Sequence, residues 1–147
     1  MDSVTEVTGV SETLPGLPPG SRAAQVWNNR LESDFLDAFS RPNASADPPC
    51  ERDRDGSIVQ ALHLMNSTKL ATRIADSRGR ATALAKSSKT PEEIVDEVYL
   101  AAYCRYPTDD EKTIAASAFN APGATRQSAT EDVMWALLNS AEFVFNH

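Results

Sequence analysis

Three carboxylates at alternate positions are the most chemically specific feature of this chain. Glu51, Asp53 and Asp55 are followed by Gly56 at the sharp turn and by Ile58 two residues later. Alternate carboxylates can converge on one hard cation, and the glycine lets the backbone fold back around it, as in the first two-thirds of an EF-hand calcium loop. The twelfth position, which should supply a bidentate carboxylate, is Leu62, and Arg52 and Arg54 place positive charge between the acids. The prediction is a structural, salt-bridged loop, with weak calcium binding as the alternative.

Other chemistries find less support. His63 and His147 are far apart, with no HExxH or CxxC spacing for zinc. His63 falls one turn after Val59 on a helical pattern, so it reads as a half-buried histidine. There is no GxSxG, and the serines fall at helix caps and loops. Neither GxGxxG nor GxxxxGK[ST] occurs. Asp109, Asp110 and Glu111 crowd together, but in a first helical turn, where negative charge meets the positive end of the dipole.

These residues must be positioned by helices, because no stretch alternates apolar and polar residues with period two. Ser33 caps a short predicted helix carrying Phe35, Leu36 and Phe39, closed by Pro42. Residues 41–56 form a polar loop. Ser57 starts a second helix with Ile58, Val59, Ala61, Leu62 and Met65. Ser67 caps a run with Leu70, Ala71 and Ile74, and a weakly helical segment follows Gly79. Thr90, Pro91 and Glu93 make a capping box with proline at the first helical position. Ile94, Val95, Val98, Tyr99 and Ala102 then form one wide apolar stripe, ended by Pro107. Thr108 with Glu111 repeats the capping box for a helix to about Asn120, stopped by Ala121, Pro122 and Gly123. A last helix carries Val133, Met134, Leu137, Leu138 and Ala141, with Trp135 and Phe143 expected to lock it onto the others. The predicted fold is all-α, a small bundle of five to six short helices. Residues 1–30 are expected to be an extended arm or linker, and 31–147 a helical C-terminal domain.

At 147 residues the chain has about one domain's length. It has 14 Lys and Arg against 21 Asp and Glu, a formal charge of -7, which argues against a dedicated nucleic-acid binder. The basic stretch Lys69, Arg73, Arg78, Arg80, Lys86 and Lys89 has no interleaved aromatic residue and reads as a solvated face. No apolar run approaches the roughly 20 residues of a membrane span. Cys50 and Cys104 could pair in an exported protein or remain thiols in the cytosol, and both options stay open. Residues 1–21 lack the basic start and apolar stretch of a secretory signal, and six glycines and prolines fall in the first twenty positions. That start is expected of a linker from a longer protein.

The ordered blocks FLDAFSRP (35–42), CER (50–52), QALHLMNS (60–67), GRATAL (79–84), EEIVDEVYLAAYCRYPTDDE (92–111) and EDVMWALLNSAEFVFNH (131–147) carry a family likeness. Together they resemble the C-terminal part of the planctomycete domain of unknown function number 1553. The preceding VTGVSETLPGLPPGSRA (7–23) also resembles that domain's approach to these blocks. The resemblance implies a C-terminal piece of a larger, exported, multidomain protein that also carries a planctomycete-type cytochrome c domain. Haem is then expected only on other domains, since CxxCH is absent here. No cofactor is expected in this chain, and its expected partners are the parent's N-terminal domains. The family carries no established activity. Pro48 stands where the family often has a first cysteine, Ser40 where glycine is usual, and Cys104 where serine is common. The last of these makes Cys104 an expected small, buried helix residue. The resulting expectation is a non-catalytic packing module. Its candidate interaction residues are Cys50, Glu51, Arg52, His63, Arg80, Arg105 and His147, with the arginines making ion pairs across the contact. The alternative is part of an enzyme or a metal or calcium site built on the 50–63 loop and helix with His147, acting on cell-envelope polysaccharide.

Overall fold

The computed structural model describes residues 2–11, 18, 20–22 and 68–146. The helices expected around 33–42 and 57–66 lie outside these. Among the described residues there are seven α-helices and no strand, a small all-α fold. They are α1 (Asp2–Thr8), α2 (Thr68–Ile74), α3 (Arg80–Lys86), α4 (Pro91–Tyr103), α5 (Asp109–Ser117), α6 (Arg126–Leu138) and α7 (Ala141–Asn146). A single 3₁₀ turn, Ala118–Asn120, follows α5.

Helix α4 starts and buries as its sequence predicts. The Thr90 side chain accepts a hydrogen bond from the Glu93 N–H, and the Glu93 carboxylate accepts one from the Thr90 N–H. Ile94, Val95, Val98, Tyr99 and Ala102 are all buried. The helix ends earlier than the proline would dictate. Cys104 takes the left-handed conformation (φ 56°) and its N–H bonds to the Leu100 carbonyl, so the helix stops at Tyr103, ahead of Pro107. Cys104 is therefore an exposed free thiol at a helix cap, not the buried helix residue expected of it.

Helix α6 is opened by a capping box, Thr125 with Ser128, in which serine stands where glutamate or glutamine marks the motif in a sequence. It buries Ala129, Thr130, Val133, Met134, Leu137 and Leu138. It packs against α3, α4, α2, α7 and the 3₁₀ turn. Trp135, expected to lock this helix down, is instead 40% exposed, because the stripe on its two sides takes the inward face. Phe143 does enter the core. The single terminal helix expected through Ala141 is broken into two. Asn139 turns back to donate from Nδ2 to the Trp135 carbonyl, and Ser140 Oγ accepts from the Phe143 N–H as the cap of α7. The break redirects the chain so that Phe143 can be buried.

The arm expected to be extended holds a helix at its start. Val4 and Val7, three residues apart, are buried, with α1 packed against α4 and α3. A seven-residue helix is not stable alone, so docking supplies what propensity cannot. The glycine-rich stretch begins only at Gly9, which ends α1 with φ 70°. Gly79 is required at the junction, since a Cβ there would lie 3.3 Å from the Thr8 carbonyl oxygen and 3.1 Å from that of Asp76.

Leu138→Ala, which empties a fully buried site between α6 and its neighbours, is expected to cost about 3 kcal/mol. Thr90→Ala, which removes only a cap, is expected to cost about 1 kcal/mol. Urea unfolding followed by circular dichroism measures both, and equal losses would contradict the division between core and cap.

Candidate functional site

Of the residues singled out in the sequence, Arg80 and Arg105 lie within the described part. Cys50, Glu51, Arg52, Asp53, Asp55, His63 and His147 fall outside it, so neither the calcium-type loop nor a site built with His147 is described. Among the described residues, no group of three His, Cys, Asp or Glu side chains is placed to hold a metal ion. No described helix is long and apolar enough to cross a membrane. A half-open polar cleft of about 550 Å³ lies beside α1, lined by residues such as Asp2, Glu6, Ser11 and Arg22. It contains neither Arg80 nor Arg105.

Arg105 follows α4 directly and meets the start of α5 and the first turn of α7. Its Nε donates to Glu142 Oε1 at 2.9 Å and its Nη2 to Glu142 Oε2 at 2.8 Å. Nη1 donates to Glu111 Oε2 at 2.9 Å and Nη2 to Glu111 Oε1 at 2.8 Å. The remaining Nη1 hydrogen goes to the Tyr106 carbonyl at 3.1 Å. A guanidinium has five N–H donors, and all five are engaged. The group also sits over two rings, 5.6 Å from the centre of Tyr99 and 5.3 Å from that of Tyr103. Those rings meet edge to face at 5.5 Å.

Two carboxylates this close would repel, and the guanidinium between them keeps both ionised. Hydrogen bonds from Arg105, and then from the Thr108 N–H, hold Glu111 at a pKa of about 2, against an ordinary 4.5. Glu142 is lowered by its Arg105 hydrogen bonds, against partial burial and repulsion from Glu111. Arg105 is pushed further up by Glu111 and Glu142. Tyr103 and Tyr99 are raised chiefly by burial. Tyr103 extends the cluster, its hydroxyl lying 3.1 Å from the Leu137 carbonyl, to which it donates, and 2.6 Å from Ser140 Oγ. Glu111 thus serves both as the partner of Thr108 in the α5 capping box and as half of an ion pair. The first role is legible in the sequence; the second is not.

Arg80 acts where the start of α3 meets the end of α1. Its Nε donates to the Val7 carbonyl at 2.9 Å and its Nη2 to the Glu6 carbonyl at 3.0 Å. These are last-turn carbonyls of α1 with no partner inside that helix. A third arginine, Arg126, was not singled out by the sequence. Its Nε donates to the Ala85 carbonyl at 2.8 Å, and its Nη2 to the carbonyls of Ser87 and Lys89, closing the end of α3. The basic stretch around Arg80 is partly tied down too: Arg78 pairs with Asp76 and Lys89 with Glu97. The arrangement fastens helix ends to one another.

Because the pKa of Glu111 is depressed in the fold, its charge contributes stability that is complete above about pH 4.5 and disappears as the pH falls toward 2. Glu142 acts in the same direction. The thermal midpoint of the native chain is expected to drop across that window, and that of Glu111→Gln to drop less. Parallel curves for the two proteins would contradict the assignment of the acid sensitivity to this pair.

No curated protein matches the chain, and no solved structure matches it. A family does: PSD1, described as a protein of unknown function (DUF1553), matches residues 21–119. The match takes in Arg80, Arg105 and Glu111, and it stops short of Arg126 and Glu142. It also covers more than half of the chain, including α2 through α5. The chain belongs to the DUF1553 family.

Proposed function

We propose that this chain is a non-catalytic helical packing module, the C-terminal part of a larger exported multidomain protein whose other domains carry c-type haem. The observation that supports a mechanical role is the saturation of Arg105. A guanidinium with all five donors engaged by Glu111, Glu142 and the Tyr106 carbonyl has none left for a substrate or anion. The ion pairs expected across a contact with neighbouring domains are, for Arg105, made within the chain. Arg80 likewise binds carbonyls of α1. Export, the cytochrome c neighbour and the planctomycete setting rest on the resemblance of the sequence blocks to the family's C-terminal part.

An antibody raised against this chain, used on fractions of the native cells, tests the reading. The expected result is a band far above 15.9 kDa in the envelope fraction. A 15.9 kDa species in the cytoplasmic fraction would overturn the proposal, as would turnover of a small substrate by the purified chain.

A further inference from the structure

We propose that helix α5 is a charge-held flap, hinged at Cys104 and Gly123, which leaves α4 as a local event ahead of global unfolding and does so more readily as ionic strength rises. The neighbouring helices are held by apolar burial: α4 buries five side chains and α6 six. Helix α5 buries none, and its one large apolar residue, Ile114, is 72% exposed. Ala115 in the helix, and Ala118 and Phe119 in the following 3₁₀ turn, only partly enter the core.

Charge is what fastens it. Arg105, at the start of the moving segment, pairs with Glu142 of α7 at 2.8 Å, and Lys112 Nζ pairs with Asp96 Oδ2 of α4 at 2.7 Å. Lys112 also feels Glu92, so Glu92 and Asp96 mark the face of α4 toward which α5 turns Lys112, while Arg105 lies over Tyr99 and Tyr103. The side chains of Arg105, Glu142, Lys112 and Asp96 all keep partial solvent exposure, which leaves both pairs open to screening by salt.

The same contact carries a penalty that opening removes. Asp96 Oδ1 is buried with no hydrogen-bond partner, although Oδ2 is paired. Moving α5 away returns that oxygen to water, so closing the flap leaves a polar atom unsatisfied. The ends of the segment suit a hinge. Cys104 is a non-glycine residue at φ 56°, and Gly123 at φ 79° has open space around it. Rotation at these two positions takes the partly buried Ala118 and Phe119 with the segment and leaves the direct apolar contact between α4 and α6 in place.

Hydrogen exchange on the full chain, followed by mass spectrometry at about 20 mM and about 1 M NaCl, tests this. Amides of Thr113–Ser117 are expected to exchange roughly three to ten times faster at high salt, while those of Val133–Leu138 change by less than about twofold. Lys112→Met, which keeps the aliphatic stem and removes the charge, is expected to bring the low-salt exchange of α5 close to the high-salt value and to shrink its salt response. Equal protection of α5 and α6 at both salt concentrations would overturn the proposal, and so would exchange of α5 that is indifferent to salt or to Lys112→Met.

Discussion

Burial of the apolar face of α6 is the constraint on which the rest of the described structure depends. Helices of seven residues, such as α1, α2 and α3, lack the length to persist in water by themselves. They form because Leu70, Ile74, Ala81 and Leu84 meet a cluster that includes Val133, Met134, Leu137 and Leu138. Met134 and Leu138 are fully buried there beside Ile94, Val95 and Val98 of α4, and hydrophobic stabilisation scales with such area. The family match ends at residue 119, whereas the helix that completes the core runs from Arg126 to Leu138.

Around this core the polar chemistry is directed at helix ends. Each arginine of the set Arg80, Arg105 and Arg126 meets carbonyl or carboxylate oxygens at a terminus where intrahelical bonding has run out. The choice of arginine has a geometric reason. Its planar fork can satisfy two acceptors in fixed relation, which a lysine ammonium cannot do. Arg105 carries this furthest, with all five N–H donors engaged and two tyrosine faces beneath it. A cluster of this composition, seen only as a list of residue types, resembles a catalytic centre. Its geometry consumes the same groups in fastening α4, α5 and α7 together.

Two modes of attachment therefore coexist. Helices α4 and α6 share a continuous apolar contact, while α5 rests on partly exposed charge pairs and a buried, half-satisfied carboxylate. Apolar contacts and screened charges respond differently to salt and acid, which gives the parts of one small fold different local stabilities.

The sequence by itself determined the helical class, both capping boxes at Thr90 and Thr108, and the buried stripe of α4. Each of these signals is carried by residues within one or two turns of one another, where backbone geometry fixes who can touch whom. Tertiary structure alone decided the rest: that Val4 and Val7 make a helix of the arm's first residues, that Trp135 faces outward, that Cys104 is an exposed cap, that the chain breaks at Asn139 and Ser140, and that Glu142 closes on Arg105. Those outcomes hinge on which of several competing side chains reaches a limited interior or a distant partner, and chain neighbours carry no record of that competition.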